Sequence, residues 1–133
     1  MSIRVRALAA AALTTALVFS GASAYAASTS TQLSNGTLYF SAQDGAVVSG
    51  NGSLFYGATK YKKTGGSKVN VYLKMSTSES VFSSPLKSVS SGQTVDYSFG
   101  GKSKAKYAPD CRATGLMDAS TGGPYYTPTV NFC

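Results

Sequence analysis

Apolar and polar residues alternate with a period of two along much of this chain. Val69, Val71, Leu73 and Met75 are interleaved with Asn70, Tyr72, Lys74 and Ser76, the pattern of a strand with one face buried. Val95, Tyr97 and Phe99 alternate in the same way with Thr94, Asp96 and Ser98, and Leu38, Phe40 and Ala42 with Thr37, Tyr39 and Ser41. Turn signals punctuate these runs: Asn35-Gly36, Asp44-Gly45, Gly50-Asn51-Gly52, Gly65-Gly66, Ser91-Gly92, Gly100-Gly101 and Gly122-Gly123. Beyond residue 26 no helix-length window carries an apolar 3.6-residue period. Short strands and closely spaced turns predict a small all-β domain, an antiparallel β-sandwich of immunoglobulin-like or similar kind with about seven to eight strands. The expected strands lie near residues 37–42, 46–49, 53–62, 68–76, 80–89, 93–99, 103–117 and 127–132.

Three stretches stand apart. Residues 27–34, Ala-Ser-Thr-Ser-Thr-Gln-Leu-Ser, are small and polar and read as a flexible N-terminal tail ahead of a single domain at 35–133. Eight of the seventeen residues from Ser76 to Gly92 are serine. That segment predicts an irregular arm along one sheet edge, with Pro85 halting the ladder, and a place for partner contact. Finally, Asn35-Gly-Thr-Leu-Tyr-Phe-Ser-Ala42 recurs as Asn51-Gly-Ser-Leu-Phe-Tyr-Gly-Ala58. Two copies are too few for a repeat architecture, so the echo reads as two turn-then-strand units. Both copies also match the Asn-x-Ser/Thr acceptor pattern, which matters only in a eukaryotic secretory path.

The N-terminus follows a different logic. Arg4 and Arg6 precede an apolar run from Ala7 to Phe19, and small residues lead to Ala24-Tyr25-Ala26. A basic start, a short apolar stretch and small residues at a cleavage point make residues 1–26 a secretory signal peptide, cut after Ala26 or alternatively after Ala24. The run is shorter than the roughly 20 residues a membrane span requires. A secreted, extracellular product with no transmembrane segment in the mature chain is expected.

Removing 26 of 133 residues leaves 107, with nine lysines and Arg112 against Asp44, Glu79, Asp96, Asp110 and Asp118, a net charge of +5. That excess favours acidic partners and also serves solubility. The two cysteines, Cys111 and the terminal Cys133, are expected to pair in an oxidising compartment and tie down the C-terminus.

The same composition excludes much chemistry. With no histidine, catalytic triads and histidine metal sites are out of reach, and bridged cysteines provide neither thiolate nucleophile nor zinc ligand. A glycosidase-like pair would have to join Asp96 to Glu79 or Asp110, and no spacing singles one out. Asp110 and Asp118 lack the calcium-loop pattern. A small hydrolase is therefore the weakest reading, and no enzyme activity, cofactor or metal is expected.

Two surfaces remain as candidates. Lys102, Lys104 and Lys106 alternate, so a strand would send all three ammonium groups from one face. Lys60, Lys62, Lys63 and Lys68 gather near a hairpin tip, with Tyr61 and Tyr107 beside the two groups. Lysines mixed with tyrosines suit an anionic envelope polymer or lipid surface, a bacteriocin-like antagonist being one form this takes. Lysines on an edge strand also keep sheets from pairing edge to edge. Specific nucleic-acid recognition is not expected. The second surface is the segment 122–128 within the disulfide loop, where Tyr125 and Tyr126 would present a partner loop to another exported protein, as an inhibitor of an exported protease does.

Overall fold

The computed structural model describes residues 26–133, so the expected leader, residues 1–26, lies outside the described residues except for Ala26. Two antiparallel sheets pack face to face. The first holds β1 (Ala26–Leu33), β2 (Gly36–Asp44), β3 (Leu54–Lys63), β7 (Thr94–Ser98) and the short β8 (Lys102–Ser103). Its order is β1-β2-β3, with β7 and β8 pairing successively along the far edge of β3. The second holds β4 (Val69–Thr77), β5 (Val81–Ser83), β6 (Lys87–Val89), β9 (Arg112–Ala119), β10 (Gly122–Tyr126) and β11 (Val130–Asn131). Here β4 and β9 form the centre, β5 and β6 line the outer edge of β4, and β10 and β11 line the outer edge of β9.

The alternation decides which residues meet between the sheets. Leu38, Phe40 and Ala42 of β2, Phe55 and Tyr61 of β3, and Val69, Val71, Leu73 and Met75 of β4 are all buried. Phe40 fills the middle because Gly115 makes room for it, as Gly57 does for Met75. A Cβ at Gly115 would come within 2.5 Å of Phe40 Cβ, and one at Gly57 would collide with Met75 Sδ. The sheets are also joined by a hydrogen bond, Thr59 Oγ1 donating to the Lys74 carbonyl at 2.8 Å. Toward the C-terminus Phe55 stacks on Phe132, with ring centroids 4.9 Å apart, and Cys111 is bridged to Cys133 beside them.

The all-β sandwich and its C-terminal disulfide match expectation, while several local assignments need correction. Residues 27–34 are not a loose tail. Ala26–Leu33 is an edge strand in full register with β2, and its low apolar content reflects an outer row of Ser28, Ser30 and Gln32 with only small residues and Leu33 facing inward. Residues 46–49 are not a strand but fall on the helical turn α1 (Gly45–Val48), which Asp44 caps by accepting from Ala46 N–H at 2.9 Å. The expected strand 103–117 divides into β8, the helical turn α2 (Lys104–Tyr107) and β9, because the Ser103 side chain caps the turn through Lys106 N–H. Residues 122–126 form a hairpin strand with a bulge, not a loop. Pro85 interrupts the serine-rich arm as expected, separating β5 from β6 on the same edge. These divisions raise the strand number to eleven.

Candidate binding surface

The change at residues 103–107 dissolves the predicted lysine ridge. Lys102 lies on β8, whereas Lys104 and Lys106 lie on α2, so strand alternation does not align them. Lys104 turns to Asp44, its Nζ donating to Oδ2 at 2.8 Å. That bond, with the Ala46 N–H and the lysine charge itself, holds the Asp44 carboxyl below its ordinary pKa. Lys104 therefore fastens α2 to the end of β2.

The second basic group is also divided by the sheet. Lys60 and Lys62 point outward from β3 and are exposed, as is Lys68 in the β3–β4 connection. Lys63 points inward and is 2% exposed, its ammonium donating to the Gly65 carbonyl at 2.6 Å. Tyr61 is buried as well. Its hydroxyl donates to the Asn35 carbonyl at 3.3 Å, and burial, together with neighbouring Tyr125, raises the phenol pKa. Of the expected partner tyrosines, Tyr125 is half-buried against the core and Tyr126 is 55% exposed. As neighbours on a strand in regular register with β9, the two rings point to opposite faces.

What the fold does bring together is one long side of the sandwich, where β5 and β6 of one sheet meet β7 and β8 of the other. Lys102 on β8 reaches across to Phe82 on β5, its Nζ 4.8 Å from the ring centroid. In the opposite sense, Lys87 on β6 reaches Tyr97 on β7 at 5.6 Å. Lys106 lies over Tyr107 at 5.2 Å, and Tyr107 meets Phe82 edge to face at 5.1 Å. Tyr97 in turn meets Phe99 edge to face at 5.2 Å. Each lysine thus holds its ammonium over a ring, and such cation–π contacts contribute about 0.5–1 kcal/mol each at exposed sites.

The electrostatics of this side are one-sided. Among the described residues the ion pairs are Lys74–Asp118 at 2.6 Å and Lys104–Asp44, so Lys87, Lys102 and Lys106 have no carboxylate partner there. Val81 and Leu86, next in sequence to Phe82 and Lys87, are 58% and 53% exposed. Sequence reasoning found Lys102, Lys106 and Tyr107 but missed Lys87, Phe82 and Tyr97. The inward alternation of Val95, Tyr97 and Phe99 was the one available signal, since Phe82 and Lys87 lie within the serine-rich arm. The remaining carboxylates are dispersed. Asp96 is on the outer face of the first sheet, Glu79 is in the β4–β5 connection, and Asp110 accepts from Arg112 N–H. No group of three metal-binding side chains occurs among the described residues, and no described helix is long and apolar enough to cross a membrane. Comparison of the chain with protein-family models, with curated proteins and with solved structures finds no match.

Proposed function

We propose that this chain is an exported, non-catalytic binding protein that attaches to an anionic polymer of the cell envelope. The observation that carries this reading is the unpaired row of Lys87, Lys102 and Lys106, each set against an aromatic ring along one side of the sandwich. An ammonium already held over a ring loses less freedom on binding than one on a free side chain. The rings beneath exclude water from one side of the charge and strengthen its pull on phosphate or carboxylate. The net charge of +5 on residues 27–133 acts in the same direction over longer range. Exposed Val81 and Leu86 beside the lysines favour a second reading, an anionic lipid surface, because apolar side chains add burial that a hydrated polymer does not offer.

Co-sedimentation with envelope fractions, and separately with phosphatidylglycerol vesicles, separates these readings. Binding at about 50 mM salt should largely disappear at about 500 mM, where charge contacts are screened. The Lys87→Gln, Lys102→Gln, Lys106→Gln triple variant should lose that binding, while Lys62→Gln with Lys68→Gln should keep most of it. Retention on envelope fractions alone selects the polymer, and on vesicles alone the lipid. Equal loss in both variants would reduce the row to diffuse charge and overturn the proposal.

A further inference from the structure

The outer face of the first sheet carries a groove that the lysine–aromatic side does not use. Its floor is a row of four small residues directly opposite one another across four strands, Ser28, Ser41, Ala58 and Ser98. A second row in register, Ser30, Tyr39, Lys60 and Asp96, rises on one side of this floor. Gln43 and Tyr56, opposed on β2 and β3, rise on the other. Cavities of about 600 and 220 Å³ lie above these rows and share Ser41, Ala58 and Ser98. The floor extends over three interstrand spacings, roughly 14 Å, and the flanking rows are about 13 Å apart from backbone to backbone. Both tyrosines are held. Tyr39 has the Lys60 ammonium 4.9 Å from its ring centroid, and the Tyr56 hydroxyl donates to Ser49 Oγ at 3.1 Å.

We infer that this groove is a binding site for an uncharged glycan chain lying across the strands. Sugar hydroxyls both donate and accept, and the groove offers both: serine hydroxyls and the Gln43 amide in either sense, Lys60 as donor and Asp96 as acceptor. The C–H faces of a sugar ring are apolar, and the faces of Tyr39 and Tyr56 carry the negative quadrupole that attracts such C–H groups. A large, largely preformed cleft with a few convergent polar groups is the usual form of a small-ligand site. Asp96, in the same row as Lys60, repels a polyanion from this face, so the ligand differs in charge from the one proposed for the lysine row. An added peptide strand does not account for the groove, because β-augmentation extends a sheet at a free edge, here that of β1 or β7, and the groove lies across the face of the strands.

Titration of the purified protein with neutral oligosaccharides tests this, using tetramers of β-linked glucose, β-linked N-acetylglucosamine, α-linked glucose and β-linked mannose, followed by NMR shifts. At least one should move the amides of Ser41, Ala58 and Ser98, with an affinity that barely changes between about 50 and 500 mM salt. Tyr39→Ala and Tyr56→Ala should each weaken it by about tenfold or more, whereas Tyr39→Phe should retain it and the triple lysine variant should leave it unchanged. Failure of all four sugars to move groove amides overturns the inference. So does binding that is lost with the lysine row, or binding indifferent to both tyrosines in variants that melt like the parent.

Discussion

The two copies of the sequence echo, Asn35–Ala42 and Asn51–Ala58, look alike and are used with opposite orientation. In the first, Leu38, Phe40 and Ala42 enter the core and Tyr39 and Ser41 face outward. In the second, Leu54, Tyr56 and Ala58 face outward and Phe55 and Gly57 enter the core. The alignment is therefore out of phase by one residue, and a one-residue slip moves every side chain to the other face. The exchange of Tyr-Phe for Phe-Tyr compensates for it. In both copies phenylalanine is buried and tyrosine reaches the outer face. Because β2 and β3 are antiparallel, the two tyrosines also fall on opposite sides of the Ser41–Ala58 pair. One short pattern thus supplies both halves of the core beneath the groove and both of its aromatic walls.

The most severe way to break this likeness is to remove the ring on one face only. Phe40→Ala should cost about 3–5 kcal/mol, since Gly115 beneath it has no side chain to fill the space left. Tyr39→Ala, one residue earlier, should cost no more than about 1 kcal/mol, chiefly the contact of its ring with Lys60. Urea denaturation of the two variants measures the difference. Comparable losses would mean that the outward tyrosines carry structural weight, and the division between core and groove would fail.

The copies should also differ in what secures them. Phe40 is seated against Gly115 inside the core, whereas Phe55 stacks on Phe132, the residue before bridged Cys133. Replacing both cysteines by serine should cost about 3 kcal/mol for a loop of this length, and amide exchange should accelerate around Phe55 more than around Phe40. Uniform acceleration in both strands would instead make the bridge a general restraint with no special tie to the second copy.

The contrast marks where sequence patterns inform and where they stop. Alternation located β2, β4 and β7 because each has one face against the core, and hydrophobic burial enforces that period. It missed β1, which is bounded by serine and threonine and is stabilised chiefly by its ladder with β2. It misplaced Lys104 and Lys106 because alternating lysines look the same on a strand and on a single capped helical turn. Of the aromatic side, the sequence offered Lys102, Lys106 and Tyr107 but not their assembly with the rest. Phe82, Lys87, Tyr97, Lys102 and Tyr107 come from five short segments, and only the crossing of one sheet over the other brings them together. The groove lay hidden for the opposite reason, since serine and alanine give no local signal until strand register aligns them in a row.

The smallest of these effects concerns the joint between the copies. Asp44 ends β2, lies opposite Phe55, caps α1 and accepts from Lys104. Asparagine can keep the cap, because its side-chain oxygen accepts from Ala46 N–H as aspartate does, so Asp44→Asn removes mainly the charge-assisted bond to Lys104. A loss of about 1 kcal/mol near neutral pH is expected. The Asp44 carboxyl titrates below its ordinary value in the folded protein. Its charged form therefore contributes fully above the unfolded value of about 3.9, and the contribution is lost as pH falls through the folded value. Parent and variant should differ in stability at neutral pH and converge below about pH 4 as the parent's carboxylate is protonated. A gap that stays constant across that range would show that the Lys104 bond does not couple α2 to the joint, and that the first copy ends on its cap alone.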